Sequence, residues 1–148
     1  MKGIYILILH LPSCKELKIG KLGRLSFESG YYAYVGSALF GEHRLMRHIK
    51  NLQKGKILNP HWHIDYLISH CEKVGWFFAE CHDPKKEGEV ANALSKKLSY
   101  IDNFGSSDSN APSHLFKSKK LKKLEEEIQK VWGSVGLAKI YSEKDSII

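Results

Sequence analysis

The stretch GIYILILHL, residues 3–11, decides the architecture. It is an almost uninterrupted run of Ile, Leu and Tyr. A half-buried strand alternates apolar and polar residues, whereas a strand covered on both faces has no polar face to alternate with. These residues therefore read as a doubly buried strand at the centre of a sheet.

Working outward, Leu17–Leu22, Arg24–Glu28 and Tyr31–Val35 are short alternating or aromatic segments. Gly20, Gly23 and Gly30 punctuate them as in antiparallel hairpins, which predicts a small meander. After Gly36 the spacing changes: Leu45, Ile49 and Leu52 recur at helical intervals, with Arg44, Arg47, His48 and Lys50 between them. This is a basic amphipathic helix. Trp62–Cys71 carries Ile64, Leu67 and Ile68 and predicts a second helix, Val74–Ala79 a strand, and Glu87–Leu98 a third helix. Tyr100–Ser113 is a loop rich in Gly, Ser and Asn. Leu121, Leu124, Ile128 and Val131 then mark a last helix over about residues 119–132, whose KSKKLKKLEEE start is strongly basic. A loose end is expected from about Glu143. The expected class is α+β, a mainly antiparallel central sheet flanked by helices, in one domain over residues 1–148.

At 43% hydrophobic, the 148 residues suffice for one core and leave little room for a second domain. Lys and Arg outnumber Asp and Glu 23 to 16, for a net charge of +7, so the field attracts polyanions and favours nucleic acid over acidic small molecules. The three cysteines are odd in number, widely spaced and without a CxxC, which points to a reducing compartment. The longest apolar run, Ile4–Leu9, is far short of the roughly 20 residues that span a bilayer, and no basic-then-apolar leader precedes it. The expectation is a soluble cytoplasmic protein with no membrane partner.

Two tripeptides frame the amino-terminal segments: Gly3-Ile4-Tyr5 on the first strand and Tyr34-Val35-Gly36 at the end of the last. Either tyrosine alone is an ordinary core residue, since strands are rich in tyrosine. Together with Gly36–Leu39 (GSAL), Arg44–Ile49 (RLMRHI), His61–Ile68 (HWHIDYLI), Phe104–Asp108 (FGSSD) and Ser113–Phe116 (SHLF), they form an ordered series. That series resembles the GIY-YIG endonuclease superfamily, and more closely its Uri-type branch, a compact domain that stands alone or is fused to a base-excision glycosylase. The resemblance runs from Gly3 to Phe116.

What it implies is hydrolysis of a phosphodiester bond in DNA, with the glycosylase fusion among similar proteins pointing to repair and RNA left open. Such hydrolysis needs an activated water, relief of charge on the phosphorus and help for the leaving oxygen. The resemblance gives the water-activating role to Tyr5 and a supporting one to Tyr34. A phenol ionises near pH ~10, so a tyrosine base needs cationic neighbours to lower that value, here Arg44 and His48. Arg44 matches the family arginine on the scissile phosphate, a task that suits a permanently charged fork of donors. Gly36, Ser37, Arg47, His61, His63 and His114 are implied on the substrate side, with His114 equally readable as a structural hydrogen-bonding residue. Glu87, with Glu89 as the near alternative, matches the glutamate that holds one Mg²⁺ or Mn²⁺, which one carboxylate and several waters suffice to bind.

The chain departs from the pattern at Gly88, Ser109 and Ala111, where relatives tend to carry cysteines. His61 and His63, with His70, Cys71, Cys81 or His82, could chelate zinc, but no recognised ligand spacing supports that. Two rival classes stand beside the enzyme: a nucleic-acid-binding module that has kept the fold without cutting, and a protein-interaction domain docking through its last helix. Substrate structure and oligomeric state, monomer or homodimer, are not readable from the sequence.

Overall fold

The expected central strand forms as β1, Gly3–Leu11, in the computed structural model, which describes residues 2–38, 43–54, 60, 62–106, 110–137 and 140–142. Every residue of β1 except His10 is buried. Both of its edges are occupied along their length, by β4 (Gly30–Ala38) on one side and β5 (Glu72–Glu80) on the other. Outside β4 lie β7 (Leu115–Ser118) and then β6 (Ser99–Tyr100), and outside β5 lies β8 (Ile140–Ser142). The order is β6-β7-β4-β1-β5-β8, six strands, and every pairing is antiparallel.

The two-residue period of β1 divides the interior into two cores. Tyr5, Leu7, Leu9 and Leu11 face one side with Tyr32, Tyr34, Trp76 and Phe78. Ile4, Ile6 and Ile8 face the other with Ala33, Val35 and Ala79. The first face is covered by α1 (His43–Lys54) and α2 (His63–Ile68), which contribute Leu45, Ile64, Leu67 and Ile68. The second is covered by α3 (Lys86–Ser95) and α4 (Leu121–Ser134) through Val90, Ala91, Leu94, Leu124, Ile128 and Val131. Each such Val, Leu or Ile, taken fully out of water, contributes about 1.5–3 kcal/mol. The α+β class with a central antiparallel sheet flanked by helices is the one the sequence predicts.

The expected meander is broken. Lys15–Lys18 (β2) and Arg24–Phe27 (β3) pair only with each other, in a separate two-stranded sheet. With β4 and β5 holding both edges of β1, the hairpin has no free edge to join, and it rests Leu17 and Leu25 on the α1/α2 side of the core instead. The strand expected over Leu17–Leu22 stops at Lys18, and Gly20–Leu22 is a tight 3-10 turn entered at a positive φ on Gly20. The second and third helices are shorter than their apolar spacing suggests, and the last one runs two residues further along the chain than expected. The loose end expected from about Glu143 lies outside the described residues. Among the described residues no helix is long and apolar enough to cross a membrane.

Candidate active site

Tyr5 and Tyr34 lie on neighbouring strands and face the α1/α2 layer. In the β1–β4 register Tyr5 is opposite Gly36 and Leu7 is opposite Tyr34, so the two tyrosines are diagonal neighbours, with ring centroids 6.3 Å apart. The Tyr5 phenol packs against Gly36, where a Cβ would overlap it. Gly36 is thus the cavity into which the catalytic candidate folds. Ser37, opposite Ile4, is half-buried beside it.

Helix α1 brings His48 down onto this pair. Its side chain is 1% exposed, its Nε2 lies 3.0 Å from the Tyr5 Oη, and its ring stands edge-on to Tyr34 at 6.0 Å and to Trp62 at 5.9 Å. Arg44, one turn earlier on the same helix, is exposed, and its guanidinium lies over the Trp62 ring at 5.0 Å. Arg47 also packs on Trp62, at 4.8 Å, but its N–H groups are committed elsewhere: they donate to both oxygens of Asp65 at 3.1, 3.3 and 3.4 Å. Arg44 has no ion-pair partner among the described residues, so its fork is the one presented to solvent.

Asp65 is the residue that sequence reasoning passed over. Its carboxylate is fully buried, accepts the Trp62 backbone N–H at 3.0 Å at the start of α2, takes the Arg47 fork, and has Oδ1 3.9 Å from the His48 Nδ1. The signal was an acid set among Ile64, Leu67 and Ile68 in HWHIDYLI. A charge in an otherwise apolar helix start, three residues past the capping position, marks either a cap or a buried partner.

The electrostatics correct one expectation. Burial lowers His48 to a pKa of about 4, with Asp65 raising it and Arg47 and Arg44 adding to the depression. His48 is therefore neutral at pH 7 and supplies no positive field to the tyrosines. Burial likewise raises Tyr5 well above the ordinary phenol value, followed by Tyr34, while Arg44 pulls it down. Tyr34 is raised by burial and then by Glu87, again opposed by Arg44. Arg44 acts in the expected direction, but desolvation outweighs it, and both phenols stay protonated.

The remaining residues reach the site around an open edge of the sheet. The β4–β7 ladder ends at Tyr34↔Leu115, and beyond it the chain turns away through His114, whose carbonyl accepts the Val35 N–H at 2.9 Å. The His114 ring is buried and its Nδ1 donates to the Val35 carbonyl at 3.1 Å, a structural hydrogen bond. Glu87, in the first turn of α3, points to this gap, with Oε2 4.0 Å from the His114 Nδ1 and the side chain 28% exposed. Its charge is felt at both tyrosines although its helix packs on the opposite face. Glu89 instead pairs with Lys86 at 3.1 Å. His63 accepts the Gly105 N–H on Nδ1 at 2.8 Å, holding the loop at a point where Gly105 has φ 68° and a Cβ would press on Tyr34 at 3.1 Å. His61 lies outside the described residues.

Beside Glu87 is a groove of about 450 Å³ lined by Lys85, Glu87, Glu89, Asn92 and Asn110 among others. Among the described residues no three His, Cys, Asp or Glu side chains cluster as metal ligands. One partly exposed carboxylate next to a polar groove is nevertheless a donor set that fits Mg²⁺ or Mn²⁺, which bind through few protein oxygens and keep their waters.

Nothing among curated proteins or solved structures matches the chain. Residues 4–137, from the first strand through the turn after α4, match the family described as domain of unknown function DUF123. That span takes in Tyr5, Tyr34, Arg44, His48, Asp65, Glu87 and His114, and with nearly the whole sequence matched, the chain belongs to the DUF123 family.

Proposed function

We propose that this protein is a metal-dependent endonuclease of the GIY-YIG type, close to the Uri branch, that hydrolyses phosphodiester bonds in DNA. The observation that carries the reading is the convergence of Tyr5, Tyr34 and His48 from three elements beside Trp62, over which lies an Arg44 with no ion-pair partner among the described residues. Glu87 adds a carboxylate from around the sheet edge.

In this mechanism Arg44 receives the scissile phosphate on its two-pronged donor and holds it over the tyrosines. The attacking water gives a proton to the Tyr5 oxygen while Tyr5 passes its own proton to the His48 Nε2, 3.0 Å away. A protonated phenol can relay in this way without first ionising, so its raised pKa is no obstacle. The new P–O bond forms as the bond to the leaving oxygen breaks, and that oxygen takes a proton from solvent. Tyr34, in the same cluster, orients the water and phosphate. A divalent cation held by Glu87 would neutralise charge on the phosphate and leaving oxygen. Arg47, already forked onto Asp65, orders the arginine and tryptophan surface on which the strand lies.

The test is cleavage of labelled single-stranded, duplex and branched DNA in Mg²⁺, Mn²⁺ or chelator by the wild type, Arg44→Ala and Glu87→Ala. Metal-dependent cutting is expected, with each substitution lowering the rate about 100- to 1000-fold. Salt-sensitive binding with no cutting under any condition would replace the nuclease with a nucleic-acid-binding module of the same fold.

A further inference from the structure

We propose that Asp65 is a positioning residue that holds His48 in its Nδ1–H tautomer, leaving Nε2 as the acceptor of the Tyr5 hydroxyl proton. The proton path of the nuclease reading then acquires a direction built into the fold. Only this last step rests on that reading; the tautomer itself does not.

The argument begins with the two nitrogens of a buried neutral imidazole, only one of which carries a proton. Which one is set by what the other faces. His48 Nε2 faces the Tyr5 hydroxyl at 3.0 Å, a group that can donate or accept with equal ease, so Tyr5 imposes no choice. Nδ1 is buried and has no hydrogen-bond partner among the described residues. The charged group it faces is the Asp65 carboxylate, with Oδ1 at 3.9 Å.

That separation is longer than a hydrogen bond, so the selection is electrostatic. The carboxylate is 0% exposed and His48 is 1% exposed, so water screens the charge little at this distance, and although the Arg47 fork offsets part of it, the effect of Asp65 on His48 is larger than that of Arg47 or of Arg44. In the Nδ1–H tautomer a positive N–H faces the anion; in the other tautomer a lone pair faces it. Asp65 thus selects Nδ1–H, and Tyr5 is obliged to donate to Nε2. Arg47 and Trp62 fix the carboxylate where it exerts this effect, the first by its N–H fork and the second through its backbone N–H. When His48 takes the proton, the same carboxylate faces the imidazolium, as the acid of a hydrolytic triad does.

The measurement is the ¹⁵N–¹H NMR signature of the His48 ring in the full chain at neutral pH. Wild type is expected to show the proton on Nδ1, and a proton on Nε2 overturns the proposal without any variant. Tyr5→Phe, which removes only the hydroxyl, is expected to keep Nδ1–H; a switch to Nε2–H would make Tyr5 the determinant and overturn the role of Asp65. Asp65→Asn is expected to lose the preference and populate Nε2–H, and exclusive retention of Nδ1–H in the folded variant overturns it as well. In cleavage, Asp65→Asn is expected to slow kcat about 10- to 100-fold at saturating DNA while Asp65→Glu recovers part of it; a loss confined to KM would trace to the released Arg47 and overturn the positioning role. A wild type that never cuts defeats the nuclease reading while leaving the tautomer result standing.

Discussion

His48 shows most directly how a residue's chemistry follows from where it is buried. Its pKa is held near 4 in the folded protein, against about 6.5 in an unfolded chain. Above pH ~6.5 both states are neutral and nothing is lost. As pH falls, the unfolded chain takes a proton that the folded protein refuses, and stability declines until the folded state also protonates near pH 4, a loss of about 3 kcal/mol. His63 and His114, also lowered by burial, add to the slope in the same direction. Urea denaturation at pH 7 and pH 5 should therefore show a marked drop for wild type and a smaller one for His48→Gln; equal drops would mean that His48 titrates normally. Tyr5, Tyr34, Arg44 and His48 were legible because the spacing of a motif is written in the chain. Their protonation states were not, because desolvation depends on Trp62, Phe104 and the α1 backbone closing over them, which no local pattern encodes. Asp65 was hidden for the same reason: a first-turn acid ordinarily caps a helix in solvent, and only the packing of α1 on α2 makes it a buried charge.

Helices α1 and α2 are joined by the Arg47–Asp65 contact and by Trp62 between them. Their coupling is asymmetric, since the Arg47 side chain is 37% exposed and the Asp65 carboxylate 0%. Removing the arginine takes the fork away from a fully buried charge, so Arg47→Met should destabilise the fold by about 3 kcal/mol despite replacing a surface residue with an apolar one of similar length. Chemical denaturation checks this, and a change within about 0.5 kcal/mol would show that the contact is a solvated surface pair. Among the elements, β1 and the amphipathic helices could be read because their burial patterns repeat over many residues. The strands β6, β7 and β8, two to four residues each, are too short for any period to register. The hairpin β2–β3 was legible as a hairpin but not as a detached one, since its exclusion follows from which strands reach β1 first in space rather than in sequence.

For the molecule as a whole, the net charge of +7 makes a statement about encounter more than about fold. If nucleic acid is the partner, affinity for a duplex should fall about 1000-fold between 50 and 200 mM salt for a footprint of about six phosphates. Fluorescence anisotropy across that range is the check, and an affinity insensitive to salt would favour a protein-docking role. The α+β class followed from the sequence because two cores need two helical layers, and the alternation between Tyr5 and Ile6 already sorts residues into them.

The lengths of the outermost strands carry one more consequence. A sheet whose rim offers a long row of unsatisfied amides is a template for other chains, and proteins suppress this by keeping their rims short. Here the order terminates in β6, two residues long, and β8, three residues long, although the strands at its centre run for nine. Among the described residues these two rim strands offer an intruding strand only a short ladder, and where the outer side of β5 runs on uncovered, Glu72 and Lys73 put charges on it. The most apolar stretch of the chain, GIYILILHL, would be an amyloid hazard if it lay at a border, and its shelter between β4 and β5 is also what keeps this protein from polymerising through it.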